Sequence, residues 1–300
     1  MGVLINILEQ GLLFSLVSIG VYITYKILDF PDLSVDSTFP LGAAISAALL
    51  VNGVNPWISI IIATLGGALA GGITAFLHVK LKITNLMAGI LVMIGLYSIN
   101  LRIMGKANVP LFNTPNLFKS SIPAIVVILI MVIVVKILLD LYLKTKSGFL
   151  LVAVGDNEQV VSSLGVNKDL VKVLGLMISN ALVALAGALT AQYQGFSDVG
   201  MGTGTVVMGL AAVIIGTSLF ERLSFIKVTT LSILGAIIYK AAIAIVLKLG
   251  LNANDLKLMT AIIVVIALCS NSGVLKFKKR KSVIGGSAKD VKSETTIQSV

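Results

Sequence analysis

Apolar runs near 20 residues recur along this 300-residue sequence, and that recurrence constrains the fold more than any other feature. A run of that length crosses the roughly 30 Å hydrocarbon core of a bilayer as an α-helix, which satisfies its own backbone hydrogen bonds there. The strand-like alternation that a transmembrane barrel requires is missing. Charged residues make up 12% of the chain, against about 25% in soluble domains. The expectation is an all-α polytopic membrane protein with about eight to ten transmembrane helices.

In chain order the spans read as 4–28, then the polar break DFPDLSVDSTFP and a short run Leu41–Val51, then 57–79 opened by Pro56 and the interfacial Trp57. Leu86–Leu101 and Ile122–Leu143 follow, separated by a stretch with Asn and Pro turn chemistry. Val173–Tyr193 precedes a second break, QGFSDVGMGTGT, and a second short run, Val206–Leu219; Val228–Leu249 and Leu258–Asn271 complete the set. The net charge of +10 comes from Lys and Arg at the ends of apolar runs, which makes them topology signals and argues against a nucleic-acid surface. With nine crossings, Lys80 and Lys82, the segment 144–172, Arg222–Lys227 and the tail from Lys276 fall on one side. The positive-inside rule makes that side the cytoplasm and puts the N-terminus outside. The tail, 276–300, opens with KFKKRK and continues rich in Ser, Thr and Lys, a composition expected to stay disordered. Its basic cluster has the chemistry to touch anionic lipid, but is read first as a signal for the cytoplasmic side.

The first apolar run has neither a basic leader nor a small-residue cleavage site, so it is expected to remain as a helix. Cys269, the single cysteine, excludes an internal disulfide and is read as a small core residue; no metal site is expected. No GxxxxGK[ST] phosphate loop occurs, so nucleotide chemistry must come from another chain. No catalytic residue and no cofactor are expected. Gly67 and Gly71 form a GxxxG pair, read as a packing face without a special partner. His78 is read as a polar helix terminus.

Each break has the same plan: a long helix, an acidic and small polar turn, then a short apolar run. Because the two preceding helices cross in opposite directions, the pattern suggests an inverted repeat with two short or re-entrant segments, a hallmark of a substrate path. Two unrelated re-entrant turns would share the same composition. Asp32, Asp36, Ser197, Asp198, Thr203 and Thr205 are candidates for the translocation path or its gate, since acidic and small polar groups persist near a membrane where they meet water or a partner. Turn and cap roles would use the same residues; Asp29 is read as a solvated turn residue.

Between the halves 1–143 and 173–275 lies the mixed-polarity segment 144–172, which faces water. Asp156 and Gln159 have capping-box spacing, Val160, Val161 and Leu164 recur on one face, and Gly165 is a stop signal. The spacing predicts a helix of about two turns over Asp156–Leu164, too short to persist alone in water. It needs a surface to dock against. Asn167 is expected to cap the next span.

The stretch SGFLLVAVGDNEQVVSSLGVN resembles the cytoplasmic coupling segment of permease subunits of bacterial ABC importers, in the branched-chain amino acid and sugar group. LLFSLVSIGVYITYKILDFPDLSVDSTFPLGAAISAAL and TAQYQGFSDVGMGTGTVVMGLAAVIIG resemble two further conserved blocks, and DLSVDSTFPLGAA is most similar to the tryptophan/tyrosine-type subgroup. The chain departs from the family pattern at Val152, usually basic, at Glu158, commonly proline, and at Val160 and Val161, usually alanine. The resemblance implies a permease homodimer in the bacterial cell membrane, served by ABC ATPase subunits inside and a solute-binding protein outside. Gly155, Asp156, Asn157, Glu158, Gln159, Val160, Val161, Leu164 and Gly165 would then make up the ATPase-coupling segment. An amino acid, in particular an aromatic one, as cargo rests on the resemblance alone. The rivals are a secondary transporter or channel without an ATPase and a membrane scaffold. A coupled secondary transporter would carry ionisable groups inside its spans. The only charges well inside a predicted span are Lys136 and Lys240, and both are read as snorkelling toward a helix end.

Overall fold

The computed structural model describes residues 2–119, 122–220, 227–248 and 256–271. α1 (Gly2–Val21) continues into a π-helical turn, Tyr22–Ile27. It is followed by α2 (Val35–Val51), α3 (Pro56–Val79), α4 (Asn85–Met104) and α5 (Ala124–Leu143). Two short helices, α6 (Lys146–Asp156) and α7 (Glu158–Ser163), lead into the 27-residue α8 (Lys168–Gln194). α9 (Thr205–Leu219), α10 (Val228–Lys248) and α11 (Leu256–Asn271) follow. Among the described residues seven segments are long and apolar enough to cross a membrane. α2 and α11, with 17 and 16 residues, are shorter. Residues Glu221 and Arg222, the turn at Asn252–Asp255, the tail 276–300 and the side chain of Cys269 lie outside the described residues.

α8 is the central helix, buried along most of its length between α1, α2 and α3. Small residues make this possible, because lipid tails give helices no hydrophobic reason to associate and close backbone packing must do so instead. A Cβ placed on Gly67 would stand 2.3 Å from Cβ of Ala184, and one on Gly71 would stand 2.3 Å from the carbonyl oxygen of Leu176. The GxxxG face therefore has a specific partner in α8, against the expectation of a generic face. α2 packs as closely on the neighbouring side, where a Cβ on Gly187 would meet the carbonyl oxygen of Phe39 at 1.9 Å.

Polar contacts set the directions. Ser179 Oγ donates to the carbonyl of Gly20 at 2.7 Å and Tyr193 Oη donates to Glu9 at 2.7 Å, so α1 and α8 are antiparallel. Ser34 Oγ donates to Asn180 Oδ1 at 3.2 Å and Gln192 Nε2 donates to Ser46 Oγ at 3.1 Å, so α2 runs parallel to α8. Lys80, at the end of α3, shares a cavity wall with Asn167 and Asp169. One end of the bundle thus carries Lys80, Lys168 and the segment 144–172. The positive-inside rule predicts that this end faces the cytoplasm, and the start of α1 lies at the opposite end.

Two features escape periodicity. The outer loop after α4 contributes β1 (Asn108–Pro110), paired antiparallel with β2 (Phe196–Asp198) directly after α8. Lys136 extends toward the end of α5, where its ammonium lies 2.8 Å from Asp140, which also takes Lys227 at 2.9 Å and accepts from Thr229 Oγ1 at 2.8 Å. This cluster ties α5 to α10 near the cytoplasmic end. Asp140→Ala leaves two cations and a hydroxyl without their acceptor, with an expected loss of about 1–3 kcal/mol. Thermal melting in detergent should show a clear drop for Asp140→Ala and a smaller one for Asp140→Asn, which retains one oxygen acceptor.

Candidate functional site

The segment 144–172 is built from two caps. Thr145 accepts from the backbone N–H of Gly148 at 3.2 Å to start α6. Asn157 accepts from Gln159 N–H at 3.0 Å and Val160 N–H at 3.3 Å to start α7. The predicted cap was Asp156. Asp156 instead ends α6, and the chain leaves the helical region only at Asn157, with φ −159° and ψ 102°. The helix expected over Asp156–Leu164 is thus shorter, and α6 before it has no counterpart in the sequence reading. Gly165 follows with φ +73°, in the left-handed region suited to glycine. Asn167 caps α8 by accepting from Asp169 and Leu170 N–H groups at 3.0 and 3.4 Å.

Leu151, Val154 and Val161 are buried against Ile23, Ile27, Leu28 and Phe30 at the end of α1, together with Leu139 of α5 and Leu176 of α8. Contact is tightest at Gly155, where a Cβ would fall 1.6 Å from the carbonyl oxygen of Ile27. Glu158 pairs with Lys168 at 2.9 Å and with Lys172, holding α7 against the first turns of α8. Burial pushes the Glu158 carboxyl up, but hydrogen bonds from Lys172 and Lys168 outweigh it and hold the group below its ordinary value. The clamp is therefore charged and closed at neutral pH, and opens only as pH falls through that lowered range. Phe149 (67% exposed), Val152 (40%), Val160 (51%) and Leu164 (69%) remain uncovered on this segment, alongside exposed Asp156, Asn157 and Gln159.

The two breaks meet inside the bundle. Asp36, in the first turn of α2, accepts from Gly204 N–H at 2.9 Å and Val206 N–H at 2.8 Å, so its carboxylate caps α9. Gly202 sits so close that a Cβ would be 2.0 Å from the Asp36 carbonyl oxygen. Asp36 and Thr203 share a cavity of about 380 Å³ with Ser37, Tyr97 and Ser98. Thr205, almost fully buried, lines a smaller cavity of about 130 Å³ that also holds Lys240.

Asp32 is buried in local bonds. Its Oδ1 accepts from Ser34 N–H at 2.8 Å and its Oδ2 from Asn180 Nδ2 at 2.8 Å, with Gly89 of α4 closing over the turn. Ser197 is buried with its hydroxyl toward Met104 Sδ at 3.5 Å. Asp198 accepts from Gly200 N–H at 2.7 Å and Asn108 Nδ2 at 3.2 Å at the outer ribbon. Of the six proposed path residues, the fold therefore brings Asp36, Thr203 and Thr205 to cavities and places Asp32, Ser197 and Asp198 in local bonds.

Asn180 and Gln192 of α8 were missed. Gln192 donates to Ser46 and Ser59 and accepts from Leu117 N–H at 3.2 Å, joining α2, α3 and α8 at the outer end. Their signal was an amide side chain inside an apolar run. Among the described residues no group of His, Cys, Asp or Glu is arranged to hold a metal ion.

Residues 3–272 match the family described as branched-chain amino acid transport system, permease component. Over 276 residues the chain is 51% identical to the tyrosine transport system permease protein of Clostridioides difficile (strain R20291), covering 92% of this chain and 94% of that one. It is 35% identical over 280 residues to an uncharacterized protein of Rickettsia prowazekii (strain Madrid E), covering 90% and 98%. It is 29% identical over 280 residues to the fructose import permease protein of Bifidobacterium longum (strain NCC 2705), covering 88% and 76%. No solved structure matches the chain.

Proposed function

The chain belongs to the family of permease components of branched-chain amino acid transport systems, as a multi-pass protein of the bacterial cell membrane, and from that premise we propose that it imports an amino acid by coupling the closure of a separate ATPase to alternating access. The likeness to a tyrosine transport permease favours an aromatic amino acid as cargo. In this reading 144–172 is the coupling segment between the halves 1–143 and 173–275, a solute-binding protein docks at the end bearing the start of α1, and two copies of the chain form the working permease. Asp36, Thr203 and Thr205 then belong to the wall of the path.

The observation that carries the reading is the uncovered patch of Phe149, Val152, Val160 and Leu164 on a segment otherwise locked into the bundle at Gly155. Apolar side chains facing the cytoplasm want a protein partner. A partner seated there would push directly on the end of α1 and the start of α8. The secondary-transporter alternative gains nothing from Asp32 and Asp36, which are spent on backbone and amide hydrogen bonds, and would have to rest on Lys240.

Val160→Asp combined with Leu164→Asp tests this. The ABC ATPase that co-purifies with the wild-type chain should do so at least about tenfold less with the double variant, a loss of about 1.4 kcal/mol or more. Unchanged co-purification, or solute uptake that persists without any ATPase, would overturn the reading.

A further inference from the structure

We propose that Lys240 is the anchor for the carboxylate of the transported solute, in a cavity in the outer half of the bundle. This rests on the importer reading above and names the chemical group that the path recognises.

At 1.5 Å per residue Lys240 stands about 18 Å from the start of α10 and about 12 Å from its end. Both distances exceed the reach of a lysine side chain, so the ammonium stays within the span. Its ammonium lies over the ring of Phe14 at 4.7 Å from the centroid. The ring face offsets part of the charge, yet among the described residues no carboxylate pairs with Lys240. Lys136, the other lysine deep in a span, has Asp140 one turn away. The corresponding neighbours of Lys240 are Ala236 and Ala244. A cation held in a span without a counter-ion is costly, and such residues mark ligand and ion pathways.

Lys240 forms part of the wall of two cavities. The larger, about 610 Å³, lies between α1, α9, α10 and α11, with Asn6 and Gln10 as polar wall residues. The smaller reaches Thr190 and Thr205. The larger volume falls in the range of small-molecule sites. Gln10 and Phe14 are on the part of α1 that neighbours the outer end of α8, where Tyr193 meets Glu9, so the cavity is remote from the coupling segment. A single cation, a few amides and hydroxyls, and otherwise apolar walls suit a solute with one carboxylate and an apolar body. A lipid phosphate offers the same anionic chemistry to the ammonium, and the experiment separates the two.

The importer is reconstituted with its ATPase and solute-binding protein in vesicles of phosphatidylethanolamine and phosphatidylglycerol, with labelled tyrosine as probe. Lys240→Met should lower uptake at least about tenfold and Lys240→Arg should stay within a few-fold of wild type, while receptor-stimulated ATP hydrolysis survives in both. The purified Lys240→Met chain should melt at the same temperature or higher, because an unpaired buried charge has gone; a merely structural lysine would give a lower melting point. The assignment is overturned if Lys240→Met takes up tyrosine within about twofold of wild type, if uptake falls only in step with a lower melting point, or if the variant loses bound phosphatidylglycerol without losing uptake. Failure of the importer reading shows in the wild type alone, as absent ATP-driven uptake, and removes this assignment with it; failure of the assignment alone shows only in the variant.

Discussion

Gly155→Leu should sharply lower solute uptake while ATP hydrolysis continues. A side chain at this position would place its first carbon 1.6 Å from the carbonyl oxygen of Ile27, and real Cβ contacts essentially never fall under 3.0 Å. The obstacle is backbone at the π-helical end of α1, so no rotamer change relieves it, and α6 must lift away. Lifting removes Leu151 and Val154 from the cluster that joins them to Ile23, Ile27, Leu28 and Phe30. The docking patch suffers less: Val160 and Leu164 face outward on and just after α7, which keeps its own cap from Asn157 and its clamp from Lys168 and Lys172. The ATPase would therefore still bind and turn over, but its movement would no longer reach α1. Coupling free energies between sites are typically 1–3 kcal/mol, so losing this contact should lower uptake per ATP hydrolysed by about 5–150-fold. Gly165→Ala is the control. It meets no atom within 4 Å and bears only the strain of its positive φ, so it should weaken the fold slightly and leave the coupling ratio unchanged. Equal loss of ATPase binding and uptake in Gly155→Leu would contradict a transmitting role for this contact.

What the sequence made legible was set by local chemistry. Both breaks stood out because Asp, Ser, Gly and Pro interrupt apolar text; the structure runs the second half of the first break, Val35–Pro40, into the start of α2 and places the second between α8 and α9. That they meet could not be read, because the bonds from Gly204 and Val206 to Asp36 span a sequence separation of 168 and 170 residues. The ribbon of β1 and β2 is three residues on each side, below any periodic signal. The cap of α7 was misplaced by one residue because Asp156 and Asn157 have equal capping chemistry; the deciding fact is that Asp156 is still helical, held there as α6 packs on Ile27. Lys136 and Lys240 looked alike as lone cations in apolar runs, yet the sequence did distinguish them. Asp140 follows Lys136 by one helical turn, whereas Lys240 has alanine at both equivalent positions, so one charge is neutralised on its own helix and the other is left to face a cavity.

Asp36→Ala should lower both stability and uptake, since Asp36 is the joint between the two short helices. Its two oxygens accept from the N–H groups of Gly204 and Val206, which no turn of α9 can satisfy. Alanine would orphan both within the bundle. At about 1–3 kcal/mol for each unsatisfied buried donor, the expected cost is on the order of 2–6 kcal/mol, a large share of a typical folding free energy of about 5–15 kcal/mol. It also removes a negative charge from the positive end of the α9 dipole. Asp36→Asn keeps one acceptor and should fall between alanine and wild type in detergent melting. Asn108→Ala, which removes only an exposed bond to Asp198 at 3.2 Å, should stay within about 0.5 kcal/mol of wild type. The uptake measurement then separates support from transmission. If Asp36 only props up α9, uptake should track the folded fraction for both substitutions. If it passes movement from α2 to α9, uptake by Asp36→Asn should fall further than its melting does, because one remaining acceptor holds the helix start in place without fixing its angle. Wild-type melting by Asp36→Ala would mean that water in the adjoining 380 Å³ cavity replaces the carboxylate, and α2 and α9 would then be separate elements in the transport cycle.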